Sequence, residues 1–124
     1  MPNTPSHLRY AKNDEWFDES SGRVGISDYA QDQLSDIVFL DIRVRIGEMV
    51  EAGIAIASVE SVKASSDVLA PCGGKVVAIN ETLASNPENI NNDPYGSWFI
   101  QLEGGVTVGL QDSAAYESYC AERN

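Results

Sequence analysis

The chain has 124 residues, enough for one domain with a modest core and no covalent staples. Nineteen acidic residues against eight basic give a net charge of −11, which argues against nucleic acid and anionic membrane surfaces and favours partners with basic docking faces. Two cysteines are too few for a disulfide framework, no Cys/His cluster has zinc-ligand spacing, and no apolar run approaches bilayer length. Residues 1–9 are polar and proline-containing and are expected to form an extended lead-in, with neither a signal peptide nor a transit peptide, so that a cytoplasmic protein is expected.

In chain order, Trp16-Phe17 and Gly22 to Ile26 predict two short strands joined by a turn at Glu19 to Gly22. Ser27 is placed to cap a helix over Asp28 to Leu34, with Ile26, Ala30 and Leu34 four apart on one face. From Ile37 to Ile46, alternation through Val38, Leu40, Ile42, Val44 and Ile46 predicts one strand with one buried side. Strands at Met49-Val50 and Ile54 to Val59 follow, then Gly74 to Ile79 beyond a hairpin. Asn80 is expected to cap a short helix over Glu81 to Ser85, limited by Pro87. Trp98 to Leu102 is expected as the last strand, and a C-terminal helix over 112–122 carries Ala115, Tyr116, Tyr119 and Cys120 on one side. Trp16 and Trp98 are expected in the core. The fold class is therefore mainly β, a small sandwich or barrel of two sheets with short peripheral helices and a C-terminal helix.

Lys63 stands out. It lies in Glu60-Ser61-Val62-Lys63-Ala64, between the apolar runs Ile54 to Val59 and Val68 to Ala70, which places its amine at a hairpin tip in water. Val50-Glu51-Ala52-Gly53 before it and Ala70-Pro71-Cys72-Gly73-Gly74 after it flank the lysine with rough symmetry, as in domains that carry a covalent cofactor on one. An ordinary surface lysine would need no such setting.

Five segments in order resemble the glycine cleavage system H protein family: Asp14-Glu15-Trp16, Val24 to Gln31, Asp36 to Phe39, Glu60 to Asp67 and Asn86 to Gly96. The likeness runs from about Tyr10 to Tyr119. It implies a lipoyl/biotinyl-type hybrid barrel-sandwich spanning 1–124, monomeric, with lipoic acid joined to Lys63 by an amide. Val62 and Ala64 beside the lysine, where biotin carriers have methionines, point to lipoate. Glu60 is implied in recognition by a lipoate-attaching enzyme, or is a solubilising charge on a turn; Glu15 and Asp67 are implied as acidic contacts of the loaded arm, or are simple surface carboxylates of an acidic protein. The chain would be a carrier and no enzyme, since the lone His7 lies in the lead-in and no nucleophile–base pair is apparent.

Several residues depart from the family pattern. Asp14 replaces the histidine of its His-Glu-Trp motif, Ser35 replaces a glycine, Gln33 stands where some members have histidine near the arm, and Asp41-Ile42-Arg43 replaces a proline-closed strand end. Cys72 adds a thiol after the hairpin. Because these changes fall around the arm, the residues narrowly favour sulfur as cargo, as in the H-like lipoate-binding proteins of the sulfur-oxidising heterodisulfide-reductase-like system; as an arm contact Cys72 would have to be accessible and thiolate-bearing, and otherwise it is a small half-buried turn residue, as Cys120 is a helix-face hydrophobe. The alternative is the aminomethyl group of glycine, with glycine decarboxylase, aminomethyltransferase and dihydrolipoamide dehydrogenase as partners. A binding module without lipoate is the reading from another class, and Cys72 with Cys120 as a redox dithiol is a further possibility.

Overall fold

A computed structural model describes residues 3–107 and 109–123. Its chain is mainly β and builds two antiparallel sheets. The paired strands β1 (Arg9–Tyr10), β2 (Glu15–Phe17) and β3 (Arg23–Ile26) form a meander. Strands β5 (Met49–Val50), β8 (Gly74–Ile79) and β9 (Ile100–Glu103) extend it to the order β1-β2-β3-β9-β8-β5. The smaller sheet is β4 (Ile37–Ile42), β6 (Ala55–Ser61) and β7 (Ser65–Leu69), with β6 central and β7 at an edge.

Period-two alternation supplies the core. Val24, Val76 and Ile100 from the larger sheet pack into one buried cluster with Leu40, Ile56, Val59 and Val68 from the smaller. A second cluster of Leu8, Tyr10, Trp16, Tyr29, Tyr116 and Cys120 lies under the C-terminal helix, where Tyr10 stacks on Tyr116 with ring centroids 4.5 Å apart.

The helices follow their caps. Helix α1 (Asp28–Leu34) begins where expected, with Ser27 Oγ accepting the Ala30 N–H at 3.2 Å. Helix α2 (Glu81–Ser85) follows Asn80, whose side chain makes no capping bond; it donates instead to the Trp98 carbonyl at 2.9 Å and ties the helix to the approach of β9. Helix α3 (Asn89–Asn92), which periodicity does not predict, sets Asn91 to fasten the start of β4: Asn91 Oδ1 accepts the Ile37 N–H at 2.8 Å and Nδ2 donates to the Ser35 carbonyl at 2.8 Å. Helix α4 (Ser113–Arg123) starts after Asp112, whose carboxylate accepts the Ala115 N–H at 2.9 Å. Tyr116 and Cys120 are buried on it as expected, but Ala115 is exposed, one residue round the helix from the packed face.

The expected long strand at 37–46 is shorter; Leu40 and Val44 are buried and Ile42 packs against the core in the expected phase, while Val38 and Ile46 face out. A register shift between Ile37 and Phe39 inserts Val38 as a bulge, so Val38 and Phe39 are 56% and 51% exposed while Ile37 and Leu40 are buried. Regular pairing stops at Ile42, and Ile46 is exposed. The last strand likewise starts at Ile100, two residues after Trp98, which is half-buried under the Arg23 guanidinium. The lead-in is no loose extension: Leu8 is buried, Asn3 N donates to Asp28 at 2.8 Å, and the Thr4 and Ser113 hydroxyls lie 3.0 Å apart. Met1 and Pro2 of that segment lie outside the described residues.

Ser35 closes α1 with its N–H on the Gln31 carbonyl at 3.0 Å, at φ 67° and ψ −154°. That region is essentially reserved for glycine, and a side chain there is strained by roughly 1–3 kcal/mol. Ser35→Gly is therefore expected to stabilise the fold by about 1 kcal/mol after glycine's own entropy is offset, read as a raised denaturant midpoint with an unchanged m-value.

Candidate functional site

Strands β6 and β7 form a hairpin whose connection is Val62-Lys63-Ala64. Ser61 ties the connection together. Its Oγ accepts the N–H groups of Lys63 (3.3 Å) and Ala64 (3.0 Å) and donates to the Ala64 carbonyl (3.0 Å), while the Ser61 N–H meets that carbonyl at 2.7 Å. From outside, Val62 N donates to the Asp36 carbonyl at 3.0 Å. The backbone under Lys63 is thus fixed from both sides. Val62, Lys63 and Ala64 are exposed, and Lys63 makes no ion pair among the described residues. Glu60 is exposed on β6, opposite Ser65 and Phe39.

Beside this hairpin the two sheets meet at Glu15. Its side chain projects from β2 and is buried, only 1% exposed. Oε2 accepts the N–H of Leu69, on the edge strand β7, at 3.0 Å. Oε1 is buried with no hydrogen-bond partner among the described residues. Leaving such a group unsatisfied costs about 1–3 kcal/mol. Burial pushes the Glu15 carboxyl up to about 8, against the backbone N–H groups of Leu69 and of Glu15 itself, which lower it, while Asp14 adds a raising charge.

Asp14, Glu15, Gln33, Val59, Ser66 and Asp67 line a cleft of about 170 Å³. The structure thus brings Glu15 and Asp67 to one place, with Gln33 on the α1 side. Asp67 is exposed at the rim, its Oδ1 3.5 Å from Arg43 Nη1. A small space holding a carboxylate with an unused oxygen, and a second carboxylate at its mouth, is suited to a small cation with N–H donors.

Cys72 does not belong to this site. It is buried in the main core three residues beyond the far end of β7, close against Gly105, and burial pushes its thiol up. Cys72 is therefore not the accessible thiolate that an arm contact would need, and its reading as a buried turn residue holds. Cys120 is buried in the other cluster; both cysteines are free, and they do not form a dithiol. Among the described residues no His/Cys/Asp/Glu cluster suits a metal, and no helix is long and apolar enough to cross a membrane.

Residues not recognised from the sequence surround Asp14. Arg123 and Tyr116 of α4 and Ser27 at the head of α1 form a hydrogen-bonded group with it. Arg123 is 109 residues away in the chain, beyond the reach of any spacing argument.

Comparison with known proteins agrees with this geometry. The family described as Glycine cleavage H-protein matches residues 8–122. The chain is 46% identical over 124 residues to "Glycine cleavage system H protein 2" of Pseudomonas aeruginosa, covering 95% of each. It is 48% identical over 119 residues to "Glycine cleavage system H protein" of Deinococcus deserti, covering 93% of this chain and 96% of that one. A crystal structure of a glycine cleavage system H protein from Mycobacterium marinum superposes with a TM-score of 0.82 at 32% identity, over 96% of this chain and 98% of the other.

The raised Glu15 carboxyl has a stability consequence with a definite sign. Between the usual glutamate value of 4.5 and about 8, the folded state holds a proton that the unfolded state has released. Stability referable to Glu15 is thus fully present below 4.5 and is lost as pH rises through about 8. Glu15→Gln is expected to remove this slope, so that the variant's advantage over wild type in denaturant midpoint grows with pH and levels off in the alkaline range. A gap that stays constant between pH 4.5 and about 8 would contradict the assignment.

Proposed function

The chain belongs to the glycine cleavage H-protein family, and on that premise we propose that it is a lipoyl carrier which shuttles the aminomethyl group of glycine between partner enzymes. Residues 1–124 act as one carrier domain, monomeric and cytoplasmic, without catalytic activity of its own. The observation that carries the reading is the pairing of an exposed Lys63 on a fastened hairpin with a neighbouring cleft where a buried glutamate keeps one oxygen free.

Lys63 fits amide attachment of lipoate, because its amine is free of ion pairs among the described residues and its backbone is held still by Ser61 and Asp36. When attached, the lipoyl group would supply a ring disulfide that is opened as the aminomethyl group is taken up, is left as a dithiol after transfer and is reoxidised by dihydrolipoamide dehydrogenase. Everything else falls to the chain's own side chains. Glu60, Ser61, Val62 and Ala64 form the surface a lipoate-attaching enzyme reads around the lysine. Glu15 and Asp67 receive the cationic amine, and the apolar wall of Ile26, Leu34 and Val59 limits water around it. Without a cation Glu15 is neutral near pH 7; a positive charge beside Oε1 lets it release its proton, so binding and ionisation reinforce each other.

Glycine decarboxylase, aminomethyltransferase and dihydrolipoamide dehydrogenase are the partners this reading implies, and a net charge of −11 suits basic docking faces on them. Tethering keeps the cargo at high effective concentration for each partner in turn. Sulfur as cargo, narrowly favoured by the departures from the family pattern, loses the thiol that would have fitted it with the burial of Cys72, and the relatives compared above are glycine cleavage proteins by name, which favours the aminomethyl group.

Intact mass and carbon dioxide exchange test the proposal together. The protein from cells able to attach lipoate is expected to be heavier by one lipoyl group, and Lys63→Ala never to gain it. The lipoylated protein mixed with glycine decarboxylase and glycine is expected to support rapid carbon dioxide exchange; exchange at background level would sink the aminomethyl reading. Ser61→Ala, which removes the hydroxyl contacts to Lys63 and Ala64, is expected to slow lipoate attachment about fivefold and to lower the melting temperature by a few degrees, both from a net loss of about 1 kcal/mol.

A further inference from the structure

We propose that Arg123, on the C-terminal helix, is a positioning residue for the cleft, acting through a forked ion pair with Asp14 to set the aim and the charge environment of Glu15. The inference rests on the reading of the cleft as the cargo site.

The geometry begins at Asp14, the residue immediately before Glu15. Asp14 has φ 77°, a left-handed conformation uncommon for a residue with a side chain. Its backbone is fastened on both sides, by Asp14 N donating to the Ala11 carbonyl at 3.0 Å and by its carbonyl accepting Ser27 N at 2.8 Å. Its carboxylate is fastened too. Arg123 Nη2 donates to Oδ1 at 2.6 Å and Nη1 to Oδ2 at 3.1 Å, a two-pronged contact that fixes the carboxylate plane. The guanidinium is held in turn between the rings of Tyr29 and Tyr119, with its carbon 4.2 and 4.1 Å from their centroids.

Tyr116 joins the second wall of the cleft to the same anchor. Its hydroxyl donates to Asp14 Oδ1 at 2.7 Å and lies 2.6 Å from Ser27 Oγ. A phenol has one proton. With that proton on Asp14, Ser27 donates to Tyr116 and uses a lone pair to accept Ala30 N, capping α1. The turn that carries Glu15 and the helix that carries Gln33 are therefore both referred to α4.

Charge follows the same lines. The ionisable groups that line the cleft with Glu15 are Asp14, from the turn before β2, and Asp67 from β7; Arg123 sits on Asp14, Lys12 lines the adjoining hollow with both carboxylates, and Arg43, from beyond β4, lies near Asp67. Arg123 therefore compensates the carboxylate that sits next to Glu15. Removing the arginine leaves Asp14 uncompensated and makes Glu15 harder to ionise. Removing the Asp14 charge leaves the arginine uncompensated and makes it easier. A merely structural latch would not produce opposite signs.

The test is a carboxyl-carbon NMR titration of Glu15 in the full-length lipoylated protein, not loaded with cargo. Arg123→Gln is expected to move the Glu15 midpoint to higher pH by about 0.5 or more, and Asp14→Asn to move it to lower pH by a similar amount. The double variant is expected to return towards wild type. Arg123→Lys, which keeps the charge but not the fork, is expected to keep the midpoint and also serves if Arg123→Gln fails to fold. Midpoints that move in the same direction in the two single variants, or in neither, overturn the proposal. A parallel measurement separates it from the reading it rests on. In the aminomethyl-loaded protein, amine release is expected to be fastest in Glu15→Gln and intermediate in Arg123→Lys. Release from loaded wild type as fast as from loaded Glu15→Gln would remove the cargo reading while leaving the titration result standing.

Discussion

A buried carboxylate joins the two sheets of this protein. Glu15 crosses from β2 of the larger sheet to the edge of β7 in the smaller one, and its Oε2 satisfies the Leu69 N–H there. An edge strand presents backbone groups that need partners, so this contact closes part of an exposed edge as it docks one sheet on the other. The same contact leaves Oε1 buried and unused. A fold seeking stability alone would replace that group with an apolar one or satisfy it fully. That oxygen is the place proposed above for the cargo's amine.

The position of that place gives the lysine its meaning. The hairpin bearing Lys63 grows directly out of β7, and Ser65, Ser66 and Asp67 lead from the tip back to the cleft; Asp67 is about 7 Å along the strand from Ser65. The tip combines a fixed backbone with a free side chain, since Ser61 and Asp36 hold the turn while the amine stays in solvent. Presentation to a ligase and retreat of cargo into a shielded site require the same thing, a stem of constant origin and variable direction. Carrier function in this fold is thus a matter of geometry and charge, with the reactivity left to the attached group.

Local rules foresaw much of this. The hairpin, the Ser27 cap and the buried face of α4 follow from alternation, a hydroxyl at the right place and four-residue spacing, all of them short-range signals. Three features escaped for a common reason, that a tertiary contact overrode the local one. Val38 is pushed out by a bulge that adjusts β4 to the twist of β6, although strict alternation buries it. Asn80 has the composition of a cap but spends its amide on Trp98. Cys72 reads locally either as an exposed thiol or as a small half-buried turn residue, and only the inward fold of its turn against Phe17 and Gly105 decides for burial. At the candidate site, the resemblance named Glu15 and Asp67 but carried no indication that Glu15 would be buried, because burial is decided by the opposing sheet. Asp14 shows the same limit: as a departure from the family histidine it suggested a changed cargo, whereas the partner that explains it, Arg123, lies at the other end of the chain.

A crystal structure of the aminomethyl-loaded protein would show whether the cleft receives the cargo's nitrogen. The amine nitrogen is expected about 3 Å from Glu15 Oε1, with the stem from Lys63 lying along β7 and the Ser61 turn unchanged. A stem extended into solvent, with the cleft closed or holding only water, would contradict that expectation.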